Sequence, residues 1–141
     1  MTHSPKANSP HQMQMDKYLP FIGLDYEPPN GCFKLVEQVF AKVYGIDLGK
    51  PDAGLENSES KDRTARIQQK LRELTVEVTS PKEGDVVIIR SRPWHIAVVL
   101  GEDLMLHAYS NGTSCVESYE DWRWKNRIEG FYRYVGNRTG K

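Results

Sequence analysis

Trp94-His95-Ile96-Ala97-Val98-Val99-Leu100-Gly101-Glu102-Asp103-Leu104-Met105-Leu106-His107-Ala108-Tyr109 is two apolar runs joined by a short polar turn, and its reading decides the fold. If Leu100 and Leu104 face each other across Gly101-Glu102-Asp103, then His107 lies opposite Ala97 and His95 opposite Tyr109. Both histidines then point to one face as diagonal neighbours, close enough for their rings to meet. The other face reads Ile96, Val98, Leu100, Leu104, Leu106 and Ala108, and is wholly apolar.

Outward from this hairpin, short β-rich runs follow one another: 75–79, 85–90, 94–100, 104–109, 114–118 and 128–135. Short polar turns between them predict an antiparallel sheet. Upstream the period changes to that of helices. Behind the breaker cluster Pro28-Pro29-Asn30-Gly31, Cys32, Leu35, Val36, Val39, Phe40 and Val43 recur at helical spacing. This predicts an amphipathic helix over 31–44, with Asn30 as N-cap and Gly45 as stop. A polar loop over 51–58 and a second helix over 59–74, with Ile67, Leu71 and Leu74 on one side, come next. Helices first and strands afterwards is the α+β pattern, with helices packed on a five- to six-stranded antiparallel sheet. The 141 residues divide into an N-terminal tail (1–15), a single domain (16–136) and a C-terminal tail (137–141).

Nineteen Lys plus Arg balance nineteen Asp plus Glu, so no basic field draws the chain to nucleic acid or anionic membranes. Residues 1–14 are polar and no long apolar run follows, which predicts neither a signal peptide nor a membrane span, and hence synthesis in a cytoplasm. Two cysteines are too few for a disulfide scaffold.

Cys32 stands in the first turn of the first helix, where unpaired N–H groups and the helix dipole lower a thiol's pKa. If that helix packs on the face bearing His95 and His107, thiol meets His95 and His95 meets His107: nucleophile, base and orienting group in an open cleft. The alternatives are a small core residue beginning an apolar stripe, and zinc bound by two His and a Cys. No CxxC, HxxxH or HExxH spacing supports zinc, so no metal is expected. Cys115 has no histidine near it in the 95–107 pairing and reads as a strand residue. His3 and His11 fall in the tail and carry no arguable role.

Several blocks in order resemble the NlpC-type papain-like cysteine peptidases of bacterial cell walls, most closely the branch found in bacteriophage tail-assembly proteins. Phe21 to Tyr26 followed by Asn30-Gly31-Cys32-Phe33-Lys34-Leu35-Val36 is similar to the family's Tyr and Asp-Cys-x-Gly-Leu-Val block. Lys82 to Val87 is similar to its Pro-Gly-Asp-Val strand, His95 to Gly101 to its His-Val-Gly-Ile-Tyr-Leu-Gly strand, and Leu106-His107-Ala108 to the partner strand. Trp124 to Tyr134 is similar to the terminal strand of the phage branch.

The resemblance implies hydrolysis of an amide bond in peptidoglycan stem peptides through a thioester acyl-enzyme, without a metal or organic cofactor. Cys32 would be nucleophile, His95 general base and acid, His107 the polar third member, and Tyr26 a contact near oxyanion or substrate. It also implies other tail proteins as partners and a place in a virion tail. Gly31 and Lys34 depart from the family's Asp before the Cys and Gly two residues after it. Those departures motivate the second reading, an inactive structural or binding component of a phage tail.

Overall fold

The computed structural model describes residues 15–26, 31–48, 60–108 and 113–136. The Asn30 cap, Tyr109, the 51–58 loop, His3, His11, and both tails except Met15 lie outside them.

Among the described residues, a 3-10 turn at Leu19–Phe21 leads to the helices α1 (Gly31–Val43) and α2 (Ser60–Leu74), which precede the sheet. Six strands follow, β1 (Thr75–Val78), β2 (Val86–Ile89), β3 (His95–Gly101), β4 (Leu104–Ala108), β5 (Ser114–Ser118) and β6 (Ile128–Tyr134). A four-residue helix, α3 (Trp122–Lys125), interrupts the strands between β5 and β6. The strands form one antiparallel sheet in the order β1-β6-β2-β3-β4-β5. Helices packed on this sheet make the α+β architecture that the order of periodicities predicts. Among the described residues no helix is long and apolar enough to cross a membrane.

The hairpin keeps the expected register through most of its length, with Val98 opposite Leu106 and Val99 opposite Met105. At the tip it slips by one, so that Gly101 rather than Leu100 faces Leu104. The cause is local: Gly101 and Glu102 take φ of 119° and 51°, which tightens the turn to two residues at the cost of a bulge.

Each face of the sheet buries its own cluster. Cys32, Leu35, Val36, Val39 and Phe40 of α1, with Ile67 and Leu71 of α2, pack on Val86, Ile88, Ile96, Val98, Leu100, Leu106 and Ala108. The reverse face, Val87, Ile89, Ala97, Val99 and Met105, is covered by Tyr119 and Trp124 with Ile128 and Phe131. Asp85, just ahead of β2, is buried and takes two bonds of 2.9 Å from the Arg133 guanidinium of β6 and one of 2.8 Å from the Lys82 N–H. A charge-assisted fork of this kind fixes the entrance of β2 against β6.

Candidate active site

Three segments converge at the start of β3. Arg63 of α2 donates from Nε to the Trp94 carbonyl (2.8 Å), and the Trp94 N–H donates to Thr64 Oγ1 (2.9 Å). These bonds hold the residue ahead of His95 against α2. Cys32, in the first turn of α1, puts its sulfur where the N–H of Ile96 reaches it, together with the N–H groups of Phe33 and of Cys32 itself. The sulfur therefore lies at the amide joining His95 to Ile96.

The two histidine rings come together as the hairpin register requires. His95 Nε2 and His107 Nδ1 are 2.9 Å apart, within hydrogen-bond distance. The Trp124 indole lies over them, nearly parallel to His95 (19°, centroids 6.3 Å) and edge-on to His107 (5.4 Å). The cover of this pair corrects one expectation. The helix bearing Cys32 packs on the even-numbered face with Ile96 and Val98, whereas the rings point to the odd-numbered face beneath Trp124. The all-apolar face is the better partner for the apolar stripe of α1, so hydrophobic burial places the helix there. Cys32 thus belongs to the cluster on one face of the sheet, and the two rings to the Trp124 side of the other.

A second correction concerns access. Cys32, His95 and His107 are 2%, 8% and 0% exposed, not set in an open cleft. Burial changes the charge states. It pushes the Cys32 thiol above its ordinary value, outweighing the Arg63 guanidinium and the N–H groups that favour thiolate. It also pulls His95 down to about 3, with further depression from His107, Arg63 and Arg127. His107 is lowered to about 4 by burial, against the opposing pull of the Glu117 carboxylate. The helix-dipole expectation of a lowered thiol pKa thus gives way to desolvation, and the resting pair is neutral thiol and neutral imidazole.

Tyr26 is buried as well. Its hydroxyl donates to Gln38 Oε1 of α1 (2.8 Å). A Cβ on Gly31 would stand 2.8 Å from the Tyr26 Cβ and 2.9 Å from its carbonyl oxygen. Close packing of Tyr26 thus accounts for glycine ahead of Cys32.

Cys115 has a histidine beside it, contrary to its reading as an isolated strand residue. The β4–β5 register sets His107 opposite Cys115, with Sγ 3.7 Å from Nε2. The β3–β4 register alone could not reveal this neighbour on the next strand. Glu117 follows two residues along β5, its Oε1 3.6 Å from His107 Nε2, accepting from Trp124 Nε1 (2.7 Å) and Arg123 Nη2 (3.2 Å). Sequence reasoning missed Trp124, Glu117 and Arg63 as neighbours of the histidines. A four-residue helix shows no periodicity; its one readable signal is Asp121, whose side chain caps it by accepting from the Arg123 N–H.

Comparison with known proteins fits this arrangement. The profile of the NlpC/P60 family matches residues 26–133. Among solved structures, a lipoprotein-like protein of the NLP/P60 family from Staphylococcus aureus subsp. aureus Mu50 superposes with a TM-score of 0.60 at 19% identity, over 97% of this chain and 46% of that one. The chain spans less than half the length of that protein, and at this identity the likeness speaks for the fold. No protein of curated function matches. With the matched segment running from Tyr26 through Arg133, and so taking in Cys32, His95, His107 and all of the sheet but Tyr134, the chain belongs to the NlpC/P60 family, a family of cell-wall cysteine peptidases.

Proposed function

We propose that the protein hydrolyses an amide bond in the stem peptides of peptidoglycan, with Cys32 as nucleophile. The supporting observation is the 2.9 Å His95–His107 bond at the strand end whose next amide meets the Cys32 sulfur. His95 Nε2 is engaged by His107, and Nδ1 is the atom assigned here to the thiol. His107 accepts the Nε2 proton and so holds His95 in the tautomer whose Nδ1 lone pair can act as base.

In the reaction His95 removes the thiol proton as sulfur attacks the carbonyl carbon. The C–S bond forms, and the C–N bond then breaks as His95 returns the proton to the leaving amine. Water, deprotonated by His95, attacks the thioester; carboxylic acid leaves and the thiol is restored. Backbone N–H groups at the start of α1 stabilise the oxyanion. Tyr26 acts through Gly31 as a positioning residue for the nucleophile. A setting among phage tail proteins rests on the resemblance of 124–134 alone, and co-purification with virions tests it.

A second pairing, Cys115 with His107, rests on their 3.7 Å separation. Cys115 lacks the helix terminus, and burial and the Glu117 carboxylate push its thiol up. Digestion of purified peptidoglycan, with mass analysis of the fragments, separates the readings. Cys32→Ala is expected to abolish release of new amines, while Cys115→Ala retains more than about a tenth of the turnover. The reverse pattern transfers the nucleophile to Cys115; no digestion by the unsubstituted chain supports the inactive tail component.

A further inference from the structure

Beside the two histidines lies a second constellation, which shares only His107 with the hydrolytic reaction. Cys115 and Glu117 are two apart on β5 and share a face; His107 is the cross-strand partner of Cys115. His107 Nε2 to Cys115 Sγ is 3.7 Å, His107 Nε2 to Glu117 Oε1 is 3.6 Å, and Cys115 Sγ to Glu117 Oε2 is 3.7 Å. One ligand atom from each lies within 4.8 Å of the others.

Those lengths match one coordination sphere. Zinc bound at about 2.3 Å to sulfur and about 2.0–2.2 Å to nitrogen and oxygen in a tetrahedron keeps its ligand atoms roughly 3.4–3.6 Å apart. A turn of the Glu117 carboxylate, whose Oε1 faces His107 and whose Oε2 faces Cys115, would close the three residues on an ion. One imidazole, one thiol and one carboxylate are the donor set of a borderline-soft divalent cation, not of magnesium or calcium. β5 is the outer strand of the sheet, and Cys115 and Glu117 are only half-buried, so an ion has a path in. Trp124 and Arg123 bond Glu117 through Oε1, and its Oε2 faces the Cys115 thiol. The Arg123 cation, 3.2 Å from Glu117, also bonds Asp121 Oδ1 at 3.0 Å and has that partner to turn to.

We propose that His107, Cys115 and Glu117 form a binding site for one zinc-like divalent cation, with water as fourth ligand, and that its occupancy switches off hydrolysis. The switch rests on the reading of Cys32 and His95 given above; the site does not. Metal on Nε2 obliges His107 to carry its proton on Nδ1 and donate it to His95 Nε2. The proton of His95 then sits on Nδ1, where the base needs a lone pair. Each ring keeps one proton in its new tautomer, and the thiol proton of Cys115 passes to solvent.

Titration of the full chain with cobalt(II) tests the site without reference to turnover. One equivalent should bind and give the near-ultraviolet absorption of a thiolate–cobalt bond, retained in Cys32→Ala and lost in Cys115→Ala. Glu117→Gln should weaken binding about tenfold or more. Absence of the band, or its survival in Cys115→Ala, overturns the site. For the switch, zinc should suppress peptidoglycan digestion reversibly on chelation, and Glu117→Gln should need about tenfold more zinc. A cobalt band that follows Cys115 while zinc leaves digestion unaltered overturns the switch. A metal-free chain that digests nothing overturns the hydrolase reading instead, and the cobalt titration still decides the site.

Discussion

Cys32 combines two opposing influences, and their balance is measurable. Burial raises its pKa more than Arg63 and the surrounding N–H groups lower it, and the lowered His95 offers no imidazolium to pair with a thiolate. The rate of Cys32 alkylation, read by mass spectrometry of its peptide, should therefore climb with pH through neutrality and above. A rate already flat from pH 5 to pH 8 would reveal a resting thiolate–imidazolium pair instead. The histidines should differ in the same assay of turnover. With His95 as the proposed base, His95→Ala should cost about a hundredfold or more. His107→Gln keeps a group that can accept the 2.9 Å bond from Nε2 and should cost about tenfold. Equal losses would mean that His107 does more than orient its neighbour. The pairing of the histidines was legible because strand alternation carries side-chain direction directly. The placement of Cys32 was not, because helical periodicity says which stripe of α1 is buried and not which face of a sheet buries it.

Among the elements, the beginning of α1 is the most constrained. Gly31 has Tyr26 against it at a distance no real Cβ tolerates. Gly31→Ala, although it raises helix propensity, should lower stability by about 1–3 kcal/mol in chemical denaturation, because Tyr26 must move. An unchanged or raised midpoint would show that the contact relaxes freely. Strands and both long helices were readable to within two residues, since their apolar periods run through several turns or alternations. The α3 helix escaped: four residues cannot form in isolation, and the seating of Trp124 over the histidines, the bonds of Trp124 and Arg123 to Glu117 and the Asp121 cap hold this one. Its function as a cover belongs to tertiary structure alone.

For the molecule as a whole, two buried neutral histidines make acid the weak side of its stability. The unfolded chain takes up protons near pH 6.5, whereas the folded histidines resist until about 3 and about 4. Between those limits the unfolded state binds more protons, so this contribution is complete above pH 6.5 and is lost as pH falls. Denaturant melts at pH 7 and pH 5 should differ by on the order of 1–4 kcal/mol, the larger stability being at pH 7, and His107→Gln should reduce the difference. Stability independent of pH over this range would mean that water or a counter-ion already serves the pair. The β1-β6-β2 order bears on a different matter, the timing of folding on the ribosome. β1 has its sheet neighbour in β6, and the Arg133 that clamps Asp85 comes from that same strand. While β2 to β5 can pair as successive hairpins during synthesis, β1 waits for a partner made more than fifty residues later. Until β6 emerges and slots between them, a nascent chain leaves unpaired the β1 and β2 edges that β6 joins.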